Sequence, residues 1–195
     1  MRNGENILAV EALGVDWMGF IFYPQSKRYI GEYPTYLPQR AKRVGVFVNE
    51  NIETILEKVT SYYLDIVQLQ GDESPEFCNQ LHEHDFQIMK AFGLADSFPS
   101  EIVAEYEQSC HYFLFDTQTS AYGGSGRKFN WGILENYQGN TPFLLSGGIS
   151  PNDVQAIQEF SHPMCIGIDI NSQFELSSAN KNIQSIEQFI KSLKQ

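Results

Sequence analysis

Asp116 directly follows the apolar run Tyr112-Phe113-Leu114-Phe115, and a carboxylate at the end of a buried strand can give or take a proton. The glycine-rich stretch Tyr122-Gly123-Gly124-Ser125-Gly126-Arg127 comes soon after and could fold over a ligand and exclude water. An aspartate that merely caps a turn is the plainer reading of the same residue. Anion chemistry is suggested by Leu145-Ser146-Gly147-Gly148-Ile149-Ser150-Pro151-Asn152. Gly147 and Gly148 let backbone N–H groups come close to a phosphate, and a helix begun at Pro151 would add its positive end. A tight turn is again the alternative. The loop Asp169-Ile170-Asn171-Ser172-Gln173, after the run Cys165-Ile166-Gly167-Ile168, would be its partner. In Ser26-Lys27-Arg28-Tyr29, Arg28 offers a planar fork for a carboxylate, or else a solvated loop cation. Cys78, His82 and His84 have spacings that could suit a metal, but they lie on a helix and its end, away from the strand ends. They read as packing or surface residues, and no metal site is expected.

These residues need elements to place them. Seven short apolar runs read as strands buried on both faces: 17–23, 44–48, 66–69, 88–92, 112–115, 142–145 and 165–168. Helices are expected at Asn6 to Leu13 and at Asn51 to Tyr62. Others start after the caps Ser74-Pro75 and Ser150-Pro151, and the last runs from Ile183 to Leu193. Strands and helices alternating in this way imply a parallel sheet covered by helices. A dinucleotide-binding sheet would need G-x-G-x-x-G after its first strand, where this chain has Pro24-Gln25-Ser26-Lys27-Arg28. A (β/α)8 barrel is the better fit. With seven strands and eight helices, the first of them a helix, the count suggests a first strand upstream of Met1. In a barrel the chemistry sits at the C-terminal strand ends, and phosphate favours the loops after strands seven and eight.

Composition narrows the partners. The 195 residues, 42% hydrophobic, suit one barrel domain spanning 1–195 with a core that needs no staple. Thirteen basic against 24 acidic residues give a net charge of −11, which argues against nucleic acid. No apolar run is long enough for a membrane helix, and the N-terminus lacks the apolar stretch of a signal peptide. Three scattered cysteines without CxxC spacing point to the cytoplasm.

Taken in order, Gly19-Phe20-Ile21-Phe22-Tyr23-Pro24, Ser26-Lys27-Arg28-Tyr29, Arg43-Val44-Gly45-Val46-Phe47-Val48-Asn49, Val67-Gln68-Leu69-Gln70-Gly71, Asp116-Thr117 with Tyr122-Gly123-Gly124-Ser125-Gly126, and Leu145-Ser146-Gly147-Gly148 resemble the phosphoribosylanthranilate isomerases of tryptophan biosynthesis. The resemblance covers essentially the whole chain. It implies a (β/α)8 barrel and an Amadori rearrangement of N-(5'-phosphoribosyl)anthranilate to 1-(2-carboxyphenylamino)-1-deoxyribulose 5-phosphate. An acid protonates the ribose ring oxygen as the ring opens to a Schiff base. A base then removes the C2 proton, and the resulting enolamine becomes the ketone. By resemblance Asp116 is the acid, Arg28 holds the anthranilate carboxylate, and Gly147, Gly148, Asn171 and Ser172 hold the phosphate. No cofactor or metal is implied, and the partner is a small phosphosugar.

The family's base is a cysteine in a Lys-x-Cys-Gly motif at the end of its first strand, and Met1-Arg2-Asn3 resembles the residues just beyond that motif. The expectation is therefore a barrel lacking its first strand, with weak turnover. Cys165 lies about 13 Å down its strand from Asp169, and Cys110 about 20 Å from Asp116, at about 3.3 Å per residue. Neither replaces the base. Two rival readings remain. One is a barrel that binds phosphate and anthranilate without chemistry. The other is a different phosphosugar barrel enzyme, such as an indole-glycerol-phosphate synthase, for which Lys90 would serve as an acid-base group.

Overall fold

A computed structural model describes residues 1–117 and 130–194, so the glycine stretch at 122–127 lies outside the described residues. All seven apolar runs are strands: β1 Trp17–Ile21, β2 Lys42–Phe47, β3 Ile66–Leu69, β4 Gln87–Leu94, β5 Tyr112–Thr117, β6 Phe143–Leu145 and β7 Cys165–Ile168. They form one sheet in chain order with every neighbouring pair parallel. The sheet curls as an open α/β barrel, and among the described residues β1 and β7 do not pair.

Among the described residues the helices are fewer than the eight expected. The described residues hold α1 Gly4–Glu11, α2 Ile52–Tyr62, α3 Pro75–His82, α4 Ser100–Ala104, α5 Val154–Glu159 and α6 Ile183–Leu193, plus three 3-10 segments at Trp131–Asn136, Pro151–Asp153 and Ser172–Phe174. No helix joins β1 to β2, because Pro24, Pro34 and Pro38 in that connection lack the N–H a helix interior needs. Glu11 organises the end of that connection instead. Its carboxylate accepts the Tyr36 hydroxyl at 2.5 Å and the N–H groups of Gln39, Arg40 and Ala41 at 2.7, 2.7 and 3.2 Å.

The expected caps are in place. Asn51 accepts from Thr54 N–H at 2.8 Å and Ser74 from Phe77 N–H at 3.3 Å, each satisfying an orphan donor of the first turn. The first helix starts earlier than expected, with Asn3 accepting from Asn6 N–H at 2.9 Å. Gly4 is required there, since a Cβ would lie 2.2 Å from Thr35 Oγ1 and 2.9 Å from Tyr36 N.

Alternation along each strand divides the side chains between two layers. Val44, Ile66, Met89, Ala91 and Leu114 fill the barrel interior, joined by Trp17, Tyr112 and Leu144. The rings of Trp17 and Tyr112 meet edge to face with centroids 4.9 Å apart, which closes the floor at the strand starts. The opposite faces bury Phe47, Leu69, Ile88, Phe92, Phe113, Phe115 and Phe143 against Ile7, Ile55, Leu81, Ile186 and Phe189 of the helices. With the floor filled by aromatic rings, the opposite end is where a polar ligand can enter. No helix among the described residues is long and apolar enough to cross a membrane.

Candidate active site

Asp116 has the same parity as Tyr112 and Leu114, so its side chain continues the interior layer up to the mouth. Its partner on β4 is Gly93, which puts no side chain beside it. Oδ1 of Asp116 accepts the Thr117 N–H at 2.7 Å. Burial and then the negative charge of Asp169 push the Asp116 carboxyl up to about 6, against the lowering effect of that backbone donor. A carboxyl group that keeps its proton to such a pH is fit to act as a general acid.

The ladder continues beyond the strand ends and brings the next two loops to the same rim. Ser146 N–H donates to Phe115 O and Asp169 N–H to Leu145 O, both at 2.8 Å. Ser146 Oγ donates to Asp169 Oδ2 at 2.9 Å, which fixes the second carboxylate of the mouth. Gly147 and Gly148 have φ of 90° and 67°, backbone that only glycine adopts readily. At Gly147 a Cβ would also lie 2.4 Å from Thr117 Oγ1, 2.6 Å from Thr117 N and 3.0 Å from Asp116 Oδ1. The glycine thus lets this loop pack directly against Thr117 and Asp116. Among the described residues the Gly147 and Gly148 N–H groups have no carbonyl partner, as an anion site needs.

The helix after this loop contributes less to an anion than its Ser-Pro start suggested. Its first turn, Pro151–Asp153, is 3-10, and Asp153 Oδ2 accepts the Ser150 N–H at 2.7 Å and the Ser150 hydroxyl at 2.8 Å. This carboxylate already occupies the positive end of the helix, so the glycine N–H groups are left as the donors.

Arg28 is not a solvated cation. Its Nε lies 3.0 Å from both oxygens of Glu175, and Nη2 lies 2.7 Å from Oε2. Glu175 opens a small hairpin of β8 Glu175–Ser177 and β9 Asn180–Lys181, turned through Ala179 at φ 65°. It also accepts Ala179 N–H at 3.1 Å and Lys181 Nζ at 3.3 Å. Burial alone would raise its carboxyl, but Arg28 and Lys181 hold it below the ordinary glutamate range. Lys181 Nζ reaches Asn171 O at 3.0 Å and Asn171 Oδ1 at 2.7 Å. Burial lowers the Lys181 ammonium from its usual value, against the raising charges of Glu175 and Asp169. Ser172 begins the adjoining 3-10 turn, next to Asn171.

Asp116 and Gly147 therefore stand together at one rim, with Gly148 next in the chain. Arg28 and Asn171 are joined through Glu175 and Lys181, with Ser172 adjoining. Sequence reading assigned no role to Asp169, Glu175 or Lys181. The hairpin strands, of three and two residues, are too short to show a periodicity, and the Arg28–Glu175 pair spans 147 positions.

Lys90 faces the other way. It shares parity with Ile88 and Phe92, in the layer between sheet and helices, where Nζ meets Gly71 O at 2.7 Å and Glu73 Oε2 at 3.3 Å. It does not reach the mouth, which removes the one residue that favoured the indole-glycerol-phosphate synthase reading. Cys78 and Cys110 are buried, on α3 and just before β5, and Cys165 is the first residue of β7, so all three lie away from the rim. Among the described residues no group of three His, Cys, Asp or Glu side chains is arranged to hold a metal ion.

A family model described as N-(5'phosphoribosyl)anthranilate (PRA) isomerase matches residues 1–192. The N-(5'-phosphoribosyl)anthranilate isomerase of Phocaeicola vulgatus is 48% identical over 195 residues, covering 100% of this chain and 95% of that protein. The enzyme of that name from Thermotoga neapolitana is 38% identical over 200 residues, with 100% and 95% covered. The crystal structure of phosphoribosyl anthranilate isomerase from Thermotoga maritima superposes with a TM-score of 0.83 at 34% identity, covering 100% of this chain and 95% of that one. A crystal structure of such an isomerase in complex with reduced 1-(o-carboxyphenylamino)-1-deoxyribulose 5-phosphate gives a TM-score of 0.78 at 30% identity, covering 100% and 98%.

Proposed function

The chain belongs to the N-(5'-phosphoribosyl)anthranilate isomerase family, and we propose that its mouth carries out this reaction with Asp116 as the general acid. One observation carries the assignment: a carboxyl group that burial and Asp169 keep protonated to about pH 6 lies against a glycine loop with open N–H groups. Asp116 delivers its proton to the ribose ring oxygen as the C1–O bond breaks and the anthranilate nitrogen forms the Schiff base. Removal of the C2 proton, which completes the rearrangement, needs a separate base, and Cys78, Cys110 and Cys165 lie too far from the rim to supply it. Asp169, held by Ser146, is the charge that keeps that proton in place. The N–H groups of Gly147 and Gly148, with Asn171 and Ser172, hold the phosphate, and Arg28 holds the anthranilate carboxylate. Residues 1–195 form one barrel domain in this reading, supported by the seven-stranded sheet that runs in chain order from β1 to β7. The three free cysteines favour a reducing cytoplasm.

The test follows anthranilate fluorescence as phosphoribosylanthranilate, made in the cuvette, is consumed. Turnover should fall about 10²- to 10⁴-fold in Asp116→Asn, the usual worth of a positioned acid. In the wild type kcat/KM should decline as pH rises past about 6. A D116N variant with undiminished turnover removes Asp116 from the role.

A further inference from the structure

A long side chain on a loop must be aimed if it is to grip the substrate's carboxylate, and Arg28 is such a side chain. It lies between β1 and β2, where its N–H donates to Ser26 Oγ at 3.1 Å and the adjacent Tyr29 bridges to Ile21. Its guanidinium meets Glu175 sideways, through Nε and Nη2, while Nη1 has no hydrogen-bond partner among the described residues. One edge of the fork is therefore occupied and the Nη1 edge is open. The side chain of Glu175 is only 5% exposed and that of Arg28 17%, so both are held rather than waving in solvent.

Arg28 and Lys181 are two cations around the Glu175 carboxylate, and Asp169 is a second carboxylate acting on Lys181. Buried ion pairs are weak stabilisers in themselves, so a three-member cluster with an open guanidinium edge suits the binding of an anion better than the holding of a hairpin. Lys181 passes the connection on to Asn171, in the loop assigned to the phosphate.

We propose that Glu175 is a positioning residue for substrate recognition: it turns Arg28 so that the Nη1 edge meets the aromatic carboxylate and, through Lys181, sets that grip at a fixed distance from the phosphate loop. The proposal rests on the reading of Arg28 as the carboxylate grip.

Two ligands separate the two ideas by calorimetry, with no turnover required. One is the reduced product 1-(2-carboxyphenylamino)-1-deoxyribitol 5-phosphate, and the other is the same compound without its carboxylate. A charge-assisted bidentate contact should give the wild type a preference of about 10- to 100-fold for the first. Arg28→Ala should erase that preference. Glu175→Gln should lower it by about tenfold while changing the affinity for the carboxylate-free ligand less than about threefold. Glu175→Asp keeps the charge but withdraws the carboxylate by one methylene, and covers the case in which E175Q does not fold; it should reduce the preference several-fold. If R28A erases the preference while the Glu175 variants keep it, or weaken both ligands equally, Glu175 is structural and the proposal fails. If the wild type shows no preference, or R28A retains it, the Arg28 reading fails and takes this proposal with it.

Discussion

At the scale of single residues, one carboxyl group carries both the chemistry and a stability cost. Asp116 is raised to about 6 by burial first and by Asp169 second, whereas an unfolded aspartate titrates near about 3.9. The folded chain therefore holds a proton that the unfolded chain releases between about pH 4 and 6. Stability from this group is present below the unfolded pKa and is lost as pH rises through the folded one. Well above pH 6 the ionised carboxylate is a burden of about 3 kcal/mol. Asp116→Asn should consequently be more stable than the wild type by about that amount at pH 8, and equal to it near pH 3.5, in urea unfolding at the two pH values. An equal difference at both pH values would mean that the carboxyl is not strained by its surroundings. The same residue was legible from sequence because it ends a strongly apolar strand. Its neighbour Asp169 stood at the head of a loop read only for its backbone, and nothing in the spacing showed that two loops would bring the carboxylates within electrostatic reach.

At the scale of elements, strands were easier to read than connections. The buried strands read as mostly apolar runs, interrupted only by residues such as Gln68 and Lys90, and Asn51 and Ser74 marked helix starts that the structure keeps. The β1–β2 connection and the β8–β9 hairpin were not legible, because their shape depends on Glu11 and Glu175, each tied to groups distant in sequence. Lys90 shows the same limit from the other side: its type suggested chemistry, but strand parity turns it away from the mouth. There it binds the carbonyls of Leu69, Gly71 and Ala91 as well as Glu73, and so fastens the end of β3 to the loop after it. Lys90→Ala should cost about 3–5 kcal/mol in chemical unfolding, because it strands the buried Glu73 carboxylate. The folded variant should still bind the reduced product within about twofold of the wild type. A large loss of affinity at unchanged stability would put Lys90 at the site after all, as the rival phosphosugar enzyme requires.

At the scale of the molecule, a chain of net charge −11 must bind a substrate with two anionic groups, a phosphate and a carboxylate, against its own field. In the proposed reading this is met locally, by Arg28, Lys181 and the glycine N–H groups at the open end, while the floor is sealed by Trp17 and Tyr112. In that reading the rim receives the substrate with its phosphate at the loops after β6 and β7 and its ring oxygen at Asp116. A crystal structure of the protein with the reduced product decides whether it does. It should show the phosphate on the backbone of Gly147, Gly148 and Ser172, the aromatic carboxylate on Arg28, and Asp116 within hydrogen-bond reach of the oxygen that was in the ribose ring. A phosphate seated elsewhere, or an Asp116 carboxyl turned away from the sugar, would contradict it.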